Sequence, residues 1–112
     1  MAKVVTEKSE VKRLTEVYNG LTPKRFAIAQ GLIIQAARIR VNLDRLSEDI
    51  DQNGLTELFQ QSDKVEPYKK TRPEADLFVK LDKNYQSIIR QLNEMIQDDV
   101  ESDDDLSEFR KQ

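Results

Sequence analysis

Apolar residues recur every three or four positions in three stretches of the chain, and the intervals between them are polar. In the first stretch Val11, Leu14, Val17 and Tyr18 repeat at helical spacing, which predicts a short helix from about Glu7 to Asn19. Residues 1–8 read as a frayed end. Asn19-Gly20 reads as a stop, because glycine tolerates the left-handed conformation common just past a helix. The second stretch opens at Thr22-Pro23, a capping hydroxyl ahead of a proline at the first helical position, where no amide hydrogen is needed. No breaker stronger than Gly31 follows until Asn53-Gly54, so the pattern allows a helix of roughly 30 residues, about 45 Å long. Ala29, Leu32, Ala36, Ile39, Leu43, Leu46 and Ile50 fit a heptad stripe, widened by Phe26 and Ile33. From Phe26 to Ala37 the segment is apolar nearly all round, so a second surface is expected to cover it. Arg38, Arg40, Asp44, Arg45, Glu48 and Asp49 supply a wet face further on.

The third stretch opens at Pro73, with Glu74 and Asp76 placed to favour the positive end of the helix dipole. Phe78, Leu81, Tyr85, Ile88, Leu92 and Met95 form its heptad, with Ile89 and Ile96 alongside. A helix is expected to stop near Gln97, where aspartates begin to oppose the negative end of the dipole. Between the long helices, residues 55–60 fit either a helical turn or a short extended piece. Gln60 to Arg72, with Pro67 and a polar majority, reads as loop. The pattern therefore predicts an all-α fold: two long amphipathic helices form an antiparallel hairpin, preceded by a short N-terminal helix. Residues 1–97 make one helical domain and residues 98–112 a disordered acidic tail. Ala29, Ala36 and Ala37 let a neighbouring helix approach closely.

Charge sharpens the division. The 112-residue chain carries a net charge of −3. Its tail holds Asp98, Asp99, Glu101, Asp103, Asp104, Asp105 and Glu108 against Arg110 and Lys111, a balance of −5. Residues 1–97 then keep 16 basic and 14 acidic side chains, or +2. A nearly neutral body is unlike most stand-alone DNA-binding domains, which are plainly basic. The 38% hydrophobic share beside 35% charged suits apolar stripes on wide polar surfaces, and favours self-association over a thick core. No apolar run approaches the ~20 residues of a membrane span, and Met1-Ala2-Lys3 does not open a signal peptide, so the expected compartment is cytoplasmic.

Chemistry has little to work with. The chain has no cysteine and no histidine, which removes disulfides, thiolate metal sites, cysteine nucleophiles and the commonest general base. Three glycines build no phosphate-cradling loop, and the acids at 98–105 lack the glycine and spacing of a calcium loop. Asp44 and Glu48 are more simply surface charges than a hydrolytic metal pair. No catalytic, metal or cofactor site is therefore expected. Four features remain, of which Arg38, Arg40 and Arg45 on the long helix are more simply paired with Asp44, Asp49 and neighbours. Phe26, Ile33, Ala36, Ile39, Leu43 and Leu46 offer more apolar surface than one partner stripe covers, which suggests a homo-oligomer interface. Lys64, Lys69, Lys70 and Arg72 around Tyr68 are a candidate phosphate-contacting set. Leu106 and Phe109 amid acids are a means for a disordered tail to dock on a basic partner.

Four segments carry a resemblance: Gly31 to Arg38 (GLIIQAAR), Gln52-Asn53-Gly54, Glu66 to Ala75 (EPYKKTRPEA) and Lys83 to Asn93 (KNYQSIIRQLN). Over roughly residues 8–97 the chain resembles small terminase-subunit-like proteins of phages and prophages of Gram-positive bacteria. There a long helix leads through an Asn-Gly turn and a short extended or irregular segment to a helix of similar sequence. The resemblance implies an oligomeric, non-catalytic part of a DNA-packaging motor in the host cytoplasm. Such a subunit binds double-stranded DNA and recruits and regulates the large ATPase-nuclease subunit, for which the resemblance makes the tail around Leu106, Phe109 and Arg110 the natural contact. Many small terminases carry an N-terminal helix-turn-helix, for which residues 1–22 are too short. The alternative is a phage-encoded helical interaction module, an inhibitor or scaffold without DNA binding.

Overall fold

A computed structural model describes the backbone of residues 5–111 and the side chains of residues 5–98. The element order is α1 (Glu7–Val17), α2 (Pro23–Asn53), β1 (Thr56–Phe59), β2 (Tyr68–Thr71) and α3 (Pro73–Lys111). Thr6 caps α1: the Ser9 amide donates to Thr6 Oγ1, and the Thr6 amide donates back to Ser9 Oγ, each at 3.1 Å. Two of the helix's orphan amides are thereby satisfied. At the other end the Tyr18 amide donates to Leu14 O, and the chain turns without a left-handed residue. The left-handed conformation expected at Gly20 is absent because Tyr18 already turns the chain, at φ −107° and ψ 25°.

Pro23 starts α2 as expected. The Thr22 hydroxyl makes no capping bond to the helix; its carbonyl instead accepts from the Phe26 amide at 2.7 Å. The helix passes through Gly31 unbroken and ends at Gly54, which has φ +83° and donates its amide to Ile50 O. Only glycine adopts that backbone without strain.

Two contacts set the long helices antiparallel. Arg25, near the start of α2, donates to the carbonyl of Met95 far along α3. Asp49, near the end of α2, meets Arg72 immediately before α3. The short α1 runs alongside α3 in the same sense, since Arg13 reaches Tyr85 and Tyr18 reaches Asn93. It covers the apolar half of α2 as the second surface expected there. One core results, built from Leu14, Tyr18, Leu21, Ala29, Ile33, Ala36, Ile88 and Leu92. Ile33 and Leu92 are wholly buried, each worth roughly 1.5–3 kcal/mol of transfer free energy. Ala29 and Ala36 sit between the helices with no exposed surface, the close approach their size permits. Leu43 and Ala75 extend the buried seam toward the connector.

Glu10 is the one buried charged side chain among the described residues. Arg13 holds it in a fork, with Nε–Oε1 at 3.1 Å and Nη2–Oε2 at 2.9 Å. The same hydrogen bonding to Glu10 raises the pKa of Arg13 against a lowering by desolvation. Such pairing is what lets a carboxylate stay charged inside a protein.

Two further expectations are corrected. Residues 55–60 take the extended alternative as β1, but Gln60 to Arg72 is not all loop: β2 pairs antiparallel with β1, with Thr56↔Thr71, Glu57↔Lys70, Leu58↔Lys69 and Phe59↔Tyr68, so an otherwise all-α fold carries a two-stranded sheet. And α3 continues to Lys111 instead of stopping near Gln97. No glycine or proline interrupts residues 98–111, and a like-charge pair on a helix costs only about 0.2–0.5 kcal/mol. The side chains of Leu106, Phe109 and Arg110 lie outside the described residues. Among the described residues no helix is long and apolar enough to cross a membrane.

Candidate functional site

The end of the helical pair opposite Met95 carries the hairpin, and every residue from Asp51 to Thr71 is exposed. An isolated two-stranded hairpin is marginal in water, so its base must be tied down. Arg72 does this. Its side chain is only 11% exposed and reaches three residues, at the end of α2, in its cap and at the start of α3. Nη1 donates to Gly54 O at 2.8 Å, Nη2 lies 2.9 Å from Asp49 Oδ2, and Nη2 lies 3.6 Å from Glu74 Oε2. The Asp49 contact is ionic and not a directed hydrogen bond, since Oδ2 accepts none. Asp49 Oδ1 accepts from Asn53 instead. The Arg72 amide also donates to Leu55 O, closing the strand pair at its root.

Opposed residues in an antiparallel pair share a face. One face of the hairpin therefore holds Glu57, Lys70, Phe59 and Tyr68; the other holds Thr56, Thr71, Leu58 and Lys69. On the first face Phe59 and Tyr68 meet edge to face at 5.7 Å, and Lys70 Nζ stands 4.8 Å from the Phe59 ring centre. Contacts of these kinds contribute about 0.5–1 kcal/mol each at an exposed site. On the second face Leu58 is 73% exposed, the most exposed large apolar side chain among the described residues. In the tip the Val65 amide donates to Ser62 O, and Gln60 Nε2 donates to Val65 O.

The basic set is therefore divided. Lys64 lies in the tip, Lys69 and Lys70 face opposite sides, and Arg72 is engaged at the base. The six residues expected at an oligomer interface are divided too. Ile33, Ala36 and Leu43 are spent in the chain's own core, while Phe26, Ile39 and Leu46 remain half-buried on its flanks. Ile28, 60% exposed, adds to the open apolar surface of α2. Sequence reasoning missed Leu58, Phe59 and the clamp by Arg72. Aromatic and β-branched residues between Gly54 and Pro73 were the available sign of strands.

A shallow groove runs along α3 past Tyr85, Ile89, Arg90 and Asn93. Asn93 is also tied to α1, because the Tyr18 hydroxyl donates to Asn93 Oδ1 at 2.9 Å. Burial raises the pKa of Tyr18, helped by the neighbouring Tyr85 and opposed by Arg13. Among the described residues no group of three or more acids is placed to hold a metal ion. No protein-family model matches the chain, and no curated protein or solved structure matches it.

Proposed function

We propose that the chain is a non-catalytic adaptor of a phage-type DNA-packaging assembly, in the role of a small terminase subunit. It acts as an oligomer that contacts double-stranded DNA and recruits and regulates the large ATPase-nuclease subunit. The observation that carries this reading is the exposed hairpin at one end of the helical pair, with Lys70 beside Phe59 and Tyr68 on one face, Lys69 on the other and Lys64 in the tip. The half-buried flank of Phe26, Ile39 and Leu46 supports association of copies, and the segment from Asp98 supports docking of the large subunit at Leu106, Phe109 and Arg110.

The test is binding of double-stranded DNA at low and moderate salt, combined with mass by light scattering. An oligomer should bind weakly, with an affinity that falls as salt rises and a slope reduced by about one for each phosphate-contacting lysine replaced by alanine. A monomer at tens of micromolar (roughly the range set by micromolar contacts) with no low-salt affinity would sink the proposal.

A second reading, a helical interaction module without DNA binding, is favoured by one observation. Arg72 is already occupied, and Lys69 and Lys70 do not share a face, so no compact cationic patch forms on the hairpin. Partner capture that is lost on deleting residues 98–112, with no DNA affinity, would select this reading.

A further inference from the structure

The hairpin has two outer edges, and they are not alike. The β2 edge carries Lys69 and Lys70 and is preceded by Pro67, features that discourage strand addition. The β1 edge, Thr56-Glu57-Leu58-Phe59, has no lysine, proline or bulge. Its backbone polarity follows from the register. Leu55 and Arg72 are opposed, and the Arg72 amide donates to Leu55 O, so residues 55, 57 and 59 bond toward β2. Thr56 and Leu58 therefore turn their amides and carbonyls to the open edge.

We infer that this edge pairs antiparallel with the same edge of a second copy of the chain, with Leu58 facing Leu58 on the two-fold axis. The choice of register is narrow. A symmetric ladder must oppose outward-turned groups, which excludes pairings that set Leu58 against Glu57. Centring on Glu57 stacks like charges. Centring on Thr56 brings Gly54, at the end of α2, against the neighbouring strand. Centring on Phe59 draws in Gln61 and Ser62, where the chain has already bent. The Leu58 register uses residues 56–60 alone.

In that register one face reads Lys69, Leu58, Leu58, Lys69 across the four strands. The other reads Lys70, Glu57, Phe59, Tyr68, twice by symmetry. No like charges lie directly opposite, and each Glu57 keeps its own Lys70 beside it. The pairing converts a marginal two-stranded hairpin into a four-stranded sheet. So small a contact falls below the ~800 Å² per partner of a standard interface, so the dimer is expected to grow with concentration. This contact is separate from the helical flank and stands whether or not the chain binds DNA.

The full-length chain tests it directly. Leu58→Pro removes an outward amide and no β1–β2 bond, so the far-UV circular dichroism should be unchanged. Light scattering should show wild type rising above 13.0 kDa with concentration and the proline variant losing that association. Because the chain has no cysteine, Leu58→Cys can form only an intermolecular disulfide under mild oxidant. It should cross-link rapidly, while Lys69→Cys, one strand further from the axis, should not. A wild type that stays at 13.0 kDa up to about 1 mM, a proline variant of unchanged mass, or Lys69→Cys cross-linking as fast as Leu58→Cys each overturns the inference.

Discussion

Replacing Arg72 by alanine separates a residue that holds the fold from one that reads a ligand. The substitution deletes a hydrogen bond to Gly54 O at 2.8 Å and an ion pair with Asp49 at 2.9 Å, and loosens Glu74 at 3.6 Å. Hydrogen bonds involving a charged group contribute about 1.5–3 kcal/mol, and fully buried pairs cost 3–5 kcal/mol to break. Asp49 and Glu74 keep access to water at 34% and 41% exposure, so their share is screened toward the surface value. The expected loss is about 2 kcal/mol, or a fall in Tm of about 10 °C for a domain this size. Urea and thermal unfolding followed by far-UV circular dichroism measure it. A double-mutant cycle with Asp49→Asn should return a coupling of about 1 kcal/mol. Lys69→Ala, on the exposed face, should stay within about 0.5 kcal/mol of wild type. If Arg72→Ala is as stable as wild type but loses DNA affinity, the clamp assignment is wrong and Arg72 is a ligand contact.

Other positions make independent predictions. Leu92→Ala opens a cavity at a wholly buried site and should cost about 3 kcal/mol in urea unfolding; a loss below about 1 kcal/mol would mean the helices do not pack there. Gly54→Ala forces a β-carbon onto φ +83°, ψ 178°, and should cost about 2 kcal/mol, read as a lower Tm with unchanged helix content. Tyr18 favours its neutral form in the fold, so the unfolded chain releases that proton first. The associated stability is intact below the ordinary value of 10.0 and is lost as pH rises through the higher folded value. Tyr18→Phe should flatten that alkaline loss, and ultraviolet titration of the wild type should show one phenol ionising late.

The helical frame was legible because its physics is local and periodic. Pro23 and Pro73 mark both long starts, and Leu43, Ile88 and Leu92 lie on the heptad stripes that the sequence displays. The hairpin was only partly legible, with residues 55–60 open between a helical turn and an extended piece and the second strand read as loop, for a related reason. Alternation along a strand arises when one face is buried, and here both faces are exposed, so Leu58 and Phe59 stand adjacent without a period of two. The role of Arg72 was hidden because its partners Asp49 and Gly54 are distant in sequence and meet it only after the turn closes. The expected interface residues Ile33, Ala36 and Leu43 show the limit of a stripe. Spacing reveals which residues share a face, and only packing reveals that α1 and α3 occupy it.

The short first helix has a consequence for how the molecule opens. Eleven residues are too few to hold a helix in water by themselves, so α1 is ordered only while Leu14 and Tyr18 are docked. Its undocking need not separate the long pair, which makes it a subglobal unit with its own, smaller opening free energy. Amide hydrogen exchange should therefore resolve two classes. The α1 amides exchange together through partial opening, and those around Ile33 and Leu92 exchange only through global unfolding. In the partly opened form, Ala29 and Ile33 on α2 lose the cover of α1, so a segment with a small opening free energy of its own controls access to the apolar surface of α2.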